Sequence, residues 1–316
     1  MAKQLICLSD RNEDLEFAAK VANKIALPFH RATSVEDMVS LFRQSPEHYL
    51  FIDADHPKHG EAVLRIPKGI HHHQVYSFAD EKIFALAQHN YSLNVGTYCI
   101  RIYDQFALDS ISYAIQTLSR PVPLEFPAKA TLHLTRSGEK GTTLAGLEKL
   151  LLSKGVNQRC MTSIIQAVDE LLMNAIFDAP ADEKGRTYRK TRDRSDDFQL
   201  AGREEIKVKV NLRPEFIQVA VEDHFGSLST AAVLKLVRKD YTKNTYDVIA
   251  ETKSAGLGLH AMVKNGFSLS MNVDPGKLTQ TVLTFPIYKS FKTMRNSFHS
   301  FGINVMETKK AENILE

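Results

Sequence analysis

Between residues 158 and 221 the apolar pattern of this chain changes its period, and that change limits what the segment can become. From Gln158 to Phe177, Ile164, Ile165, Val168, Leu171, Leu172, Ala175 and Ile176 recur at the i, i+3, i+4, i+7 spacing of a buried helical stripe. Two alternating runs follow, Ile206 to Leu212 and Phe216 to Val221, separated by Arg213-Pro214-Glu215. Alternation on both sides of a proline-bearing turn predicts a β-hairpin.

Three polar pieces ride on this frame. At about 100° per residue, Gln166, Glu170, Asn174 and Asp178 share the helix face opposite the stripe, one turn apart. A solvated face has the same composition, so context decides what the E-x-x-x-N spacing means. Asp223 emerges at the end of the second strand, where a buried carboxylate accepts a hydrogen bond from a ligand amine such as that of adenine; a turn or cap role is the other reading. Gly256 and Gly258 stand directly before an apolar helical run, where glycine lets the backbone approach an anion and free helix N–H groups favour phosphate. The same run satisfies G-x-G-x-x-A, but Ala250 to Lys253 is no apolar strand and no ribose-binding acid follows. A P-loop is disfavoured, since the sequence holds no G-x-x-x-x-G-K-[ST].

In this order the three pieces resemble the GHKL ATPase superfamily of gyrase, heat-shock chaperone, mismatch-repair, histidine-kinase and anti-sigma serine-kinase domains, over residues 125 to 288. The resemblance implies ATP and Mg²⁺ as cofactors. Glu170 would orient or activate the attacking group, and Asn174 would hold Mg²⁺ through its amide oxygen, with Glu170 reaching the ion through water. Asp178 would lie beside them at the nucleotide. Asp223 would read adenine and Gly226 would follow it in the adenine loop. Gly256, Leu257, Gly258 and Leu259 would line the phosphates beneath a lid at 227–255, and Thr281 on the closing strand would face the nucleotide. One departure stands out: the family pattern D-x-G-x-G reads Asp223-His224-Phe225-Gly226-Ser227 here, with phenylalanine at the first glycine.

No histidine sits in a phosphoacceptor setting, and no long helical hairpin precedes the segment. The compact order of strand (130–135), helix (143–152) and asparagine helix looks like the anti-sigma type of serine kinase. An insertion from Asp182 to Glu205 mixes both charge signs without apolar period, which predicts an exposed or partly disordered loop.

The first third alternates short strands (3–9, 49–53) with helical patterns (15–25, 35–42), as a parallel α/β sheet does. It resembles the receiver domain of response regulators over residues 1 to 120. Asp53, followed four residues on by Pro57, copies the phosphoacceptor; Asp10 copies a metal-holding acid, and Ser77 suits the switch hydroxyl. Ser9 stands where a second acid is expected, and the fifth strand ends at Arg101 in place of the usual lysine. A phosphorylated receiver and a degenerate one that senses by protein contact both remain open.

The expected fold is therefore α/β: a receiver-like, flavodoxin-like parallel sheet (1–120), a proline-marked linker (121–128), a GHKL (Bergerat) α/β sandwich (129–288) and a tail (289–316) that docks or frays. At 316 residues, 43% hydrophobic and 24% charged, the chain has room for two cores. A net charge of +3 implies no nucleic acid. No apolar run approaches membrane-spanning length, and Cys7, Cys99 and Cys160, far apart in apolar settings, suit a reduced cytoplasmic protein. His71-His72-His73 alternate in direction and so suit a loop better than a metal site. The implied function is that of an ATP-binding bacterial signalling protein that phosphorylates a serine or threonine of a protein partner, compatible with a homodimer. The alternative is a nucleotide-gated protein-binding module with little or no catalysis.

Overall fold

The computed structural model describes residues 3–66, 74–80, 95–118, 126–228, 262, 265–287 and 290–305. Eleven strands form one sheet in the order β2-β1-β3-β4-β5-β11-β9-β10-β8-β7-β6. On one side lie β1 (Leu5–Leu8), β2 (Phe29–Arg31), β3 (Tyr49–Asp53), β4 (Val75–Ala79) and β5 (Thr97–Ile100), all parallel. On the other lie β6 (Ala130–Leu134), β7 (Ile206–Leu212), β8 (Phe216–Asp223), β9 (Ser268–Asp274) and β10 (Leu278–Pro286), paired antiparallel in the order β9-β10-β8-β7-β6. The hairpin read from the sequence is β7–β8.

Between the two halves runs β11 (Ser300–Val305), antiparallel to β5 and parallel to β9. It follows a short helix, Phe291–Arg295, begun by Ser290, whose hydroxyl accepts from the Thr293 amide. Residues 290–305, expected within a docking or fraying tail, thus supply a strand at the middle of the sheet. Phe301 to Asn304 are all buried, so both faces of the strand are covered.

The helices follow the apolar stripes. In the parallel half they are α1 (Asn12–Lys24), α2 (Val35–Gln44), α3 (His59–Leu64) and α4 (Gln105–Leu118). In the antiparallel half, α5 (Lys140–Ser153) and α6 (Gln158–Met173) pack together; Asn157 caps α6 by accepting from the Arg159 amide at 3.0 Å. One core covers a whole face of the sheet, from Ile6, Met38 and Ile52 through Tyr98 and Met271 to Ile164, Leu172 and Val208. A second, on the opposite face, joins Phe17, Phe51 and Ile111 to Phe216 and Phe298. Both cores contain residues from before and after the linker.

The segment Gln158–Asp178 meets the length and apolarity of a membrane-crossing helix. It is instead a core helix here, with Ile164, Val168 and Leu172 fully buried. All three cysteines are buried and free.

Candidate functional site

The asparagine helix does not run to Phe177 as a regular α-helix. Beyond Met173 it widens into a π-helical turn, Asn174–Asp178, marked by the Ala179 amide donating to the Asn174 carbonyl at 2.8 Å. Such turns insert a residue into the helix and occur often at functional sites. Here the change falls on the polar residues of interest, so the constant 100° step used for Asn174 and Asp178 fails over the last turn.

The acids of this turn sit in unusual surroundings. Among the described residues, both carboxylate oxygens of Asp178 are buried without a hydrogen-bond partner, and Arg194 stands 3.6 Å away. Burial raises the carboxyl pKa of Asp178 against the pull of Arg194 and Lys190. Burial also raises that of Glu170, aided by the charge of Asp169 and opposed by Arg194 and Lys140. Glu170, Asp178 and Arg194 therefore form one electrostatic group around half-buried Asn174.

Asp223 closes β8 and is 7% exposed. Burial lifts its pKa from 3.8 to about 6, while a hydrogen bond from the Phe225 amide at 3.0 Å favours the ionised form. Opposite it in the antiparallel register stands Thr279, with Thr281 one step further along the same side of β10, opposite Val221. The threonine singled out in sequence is thus displaced from Asp223 by two residues.

The loop after Asp223 is shaped by packing. Gly226 has φ of +56°, and a Cβ there would lie 2.0 Å from the Asp274 carbonyl oxygen. Glycine is required because this loop lies against the β9–β10 turn. Phe225 is buried, with the Arg203 guanidinium 4.8 Å from its ring and Tyr188 edge-on at 6.4 Å. Arg203 also donates to the carbonyls of His224, Phe225 and Gly276, at 2.7, 3.3 and 2.9 Å.

Tyr188 and Arg203 belong to the insertion at Asp182–Glu205, which is an exposed loop along most of its length, as expected, but is anchored at a few points. Leu200 is fully buried, and Arg189, 7% exposed, pairs with Glu204 and lies 4.6 Å from the Phe198 ring; Arg192 approaches the same ring at 4.1 Å. Guanidinium–aromatic contacts and ion pairs hold the segment where apolar period is lacking. Phe225 and the insertion answer each other: its ring is covered by Tyr188 and Arg203, which the insertion supplies.

Gly256, Leu257, Gly258 and Leu259, nearly all of the expected lid and His71-His72-His73 lie outside the described residues. Among the described residues no group of three His, Cys, Asp or Glu side chains could hold a metal. That suits Mg²⁺ only as a partner of nucleotide phosphates, for which one or two protein oxygens suffice, and the unpartnered Asp178 oxygens and the Asn174 amide are of the right kind.

The acids of the parallel half have a different environment. Arg101, its side chain 3% exposed, donates to Asp53, to Asp14 at 3.0 Å and to Asp55 at 2.9 Å, and pairs with Asp80 at 2.8 Å. Burial opposes the guanidinium charge, but these carboxylates outweigh it and raise the Arg101 pKa. Arg11 adds a second cation 3.6 Å from Asp53. Asp14, held also by Ser9 at 2.7 Å and by the Tyr103 hydroxyl, joins Asp53 on Arg101. Asp10 does not: its side chain is 80% exposed and reaches His56 at 3.4 Å. Ser77 is fully buried and bonded to His59 at 3.2 Å.

No family model and no curated protein matches the sequence. The reading of the site rests on its residues. Those that sequence reasoning missed are Arg194, Arg203, Thr279 and Asp14. The first two lie in a segment without period, whereas the even spacing from Thr281 to Thr279 and the helical spacing from Asp10 to Asp14 were visible.

Proposed function

We propose that the chain binds Mg·ATP between the π-helical turn and the end of β8, and that it transfers the γ-phosphate to a serine or threonine hydroxyl of a protein partner. The observation that carries the reading is the pair of buried, unpartnered Asp178 oxygens beside Asn174 and Glu170. Buried carboxylates without partners are costly, and such clusters collect where a ligand supplies the missing contacts. Asp223 would accept from the adenine amine, and Arg194 would meet a phosphate oxygen. Bound Mg²⁺ would neutralise charge on the phosphates. Glu170, whose raised pKa brings it nearer neutrality, would take the hydroxyl proton.

Within this proposal the antiparallel half is a GHKL unit and the parallel half a receiver-like one, a reading supported by the strand order 2-1-3-4-5 of the flavodoxin-like arrangement. Arg101 seated among the acids favours an input by protein contact over aspartyl phosphorylation. Phe225 favours the second reading, a nucleotide-gated binding module without catalysis.

Calorimetry on the full chain should show Mg·ATP binding that Asp223→Ala and Asn174→Ala each weaken at least about tenfold, a loss of roughly 1.4 kcal/mol or more. Equal affinity in all three proteins overturns the site. Labelled ATP with a cell lysate then separates the two readings: transfer of label to another protein, abolished by Glu170→Gln, supports the kinase, and nucleotide binding without transfer supports the module.

A further inference from the structure

The face of the sheet opposite α6 carries polar side chains in the antiparallel half. Lys209, Glu222, Gln280, Asn272 and Asn304 form a chain of hydrogen bonds of 2.8 to 3.1 Å across five strands. The register sets further polar groups beside it: Ser300, Ser268, Thr284 and Gln218 in one row, and Thr97, Gly302 and Ser270 in the next. A sheet face this polar, and largely buried, is not built for a dry core. Over part of it lies α4, whose Tyr113 hydroxyl accepts from Asn211 at 3.0 Å. Between α4 and the strands is a cavity of about 90 Å³.

Three properties of this cavity define its occupant. Among the described residues that line it none carries a charge, and Glu222, which bonds the lining Gln280, is paired with Lys209 at 2.7 Å. The sheet wall offers hydroxyls and amides, including Thr97, Ser270 and Asn272, with Val282 beside Ser270 in the register, while α4 and the segment at Phe126 bring the carbon surface of Ile111, Ala114 and Phe126 together with the Tyr113 and Thr117 side chains. Tyr76, which also lines it, is 2% exposed and has a buried hydroxyl without a hydrogen-bond partner among the described residues. An unsatisfied buried hydroxyl costs on the order of 1–3 kcal/mol, so a group that accepts or donates there would be held. At about 10–15 Å³ per water the volume holds roughly six to nine waters, room for a small ring with several hydroxyls.

We propose that this cavity is a binding site for an uncharged, polyhydroxylated molecule of monosaccharide size. The ring's C–H face would lie on the Ile111 and Phe126 side, and its hydroxyls would exchange hydrogen bonds with Tyr76, Thr97 and Ser270. The site joins the two halves of the sheet, since Tyr76 and Thr97 come from the parallel half and Ser270 from the antiparallel half. The assignment does not depend on the nucleotide reading, and its test needs no ATP.

Calorimetry on the full chain with D-ribose, D-glucose and myo-inositol, beside glucose 6-phosphate as a charged counterpart, reads the site directly. At least one neutral probe should bind saturably below about 10 mM, with little dependence on salt, and the phosphate should bind at least roughly tenfold more weakly. Ser270→Leu, which fills the cavity, should abolish binding. Thr97→Val and Tyr76→Phe, which only remove a hydroxyl, should each weaken it several-fold with the thermal midpoint unchanged or raised. Either mild variant tests the site if Ser270→Leu fails to fold. No binding of any neutral probe, equal binding of the phosphate, or wild-type binding in all three variants overturns the proposal and leaves a water-filled void.

Discussion

Each half of the sheet holds buried or half-buried acids, and they are resolved in opposite ways. In the parallel half Asp14, Asp53, Asp55 and Asp80 converge on one guanidinium, so the negative charge is met from within the chain. In the antiparallel half buried Asp223 and half-buried Glu170 and Asp178 have raised pKa values, and among the described residues Asp178 has no hydrogen-bond partner, only Arg194 at 3.6 Å. The fold tolerates the second arrangement at a cost and removes that cost in the first. Satisfied acids therefore mark architecture in this chain, and unsatisfied ones mark the place where something else completes the structure.

Substitution of Arg101 gives the largest expected effect. Arg101→Ala leaves buried Asp14 with only the Ser9 and Tyr103 hydroxyls and buried Asp53 with only Arg11 at 3.6 Å as a cation, and removing one partner of such a network costs up to about 3–5 kcal/mol. Urea unfolding should show the loss as a lower midpoint. A loss below about 1 kcal/mol would mean that the cluster relaxes into solvent, and the contrast between the halves would disappear.

Asp223→Asn should act in the opposite direction on stability. The folded-state pKa of Asp223 is raised from 3.8 to about 6, so the folded protein holds this proton more tightly than the unfolded chain. Stability from this group is fully present below about pH 4, falls as pH rises toward 6, and stays lost above it. At about 1.4 kcal/mol per pKa unit, the asparagine variant should exceed wild type at pH 7 by a few kcal/mol at most, with the gap closing at pH 4. Unfolding measured at the two pH values decides this; a gap independent of pH would show that the charge is solvated.

Asp178→Asn sharpens the same contrast at smaller amplitude. Stability should rise, or change by less than about 1 kcal/mol, while Mg·ATP affinity falls. A destabilised variant would show that Arg194 already satisfies the carboxylate. Smallest of all, Arg203→Ala should cost about 1 kcal/mol, because the three carbonyls it meets lie near solvent, and should speed hydrogen exchange at 224–228. Unchanged exchange there would remove Arg203 as the clamp of that loop.

The contrast was only half legible in the sequence. Apolar period gave α6, the β7–β8 hairpin and the strand ending at Asp53, because each of these elements buries one side against a core. Glu170, Asn174 and Asp223 were found for the same reason, as polar residues at fixed offsets on those frames. Three things lay beyond such reasoning. The π-helical turn keeps the spacing of a helix but not its rotation. The insertion is held by Arg189, Arg192 and Arg203 against aromatic rings, contacts without period. Arg101 was visible as a departure from lysine, but its bonds to four acids depend on loops that only the folded sheet brings together.

The position of β11 has a consequence for how the molecule is made. Both of its neighbours, β5 and β9, precede it in sequence, so a chain emerging from the ribosome has made their facing edges before the strand that joins them exists. Until residues 300–305 appear, those two edges present unpaired amides and carbonyls, the kind of surface through which nascent chains pair with each other. Assembly of the sheet's centre is thereby timed to a late moment of synthesis. A chaperone that shields these edges during translation would favour the native sheet over intermolecular pairing.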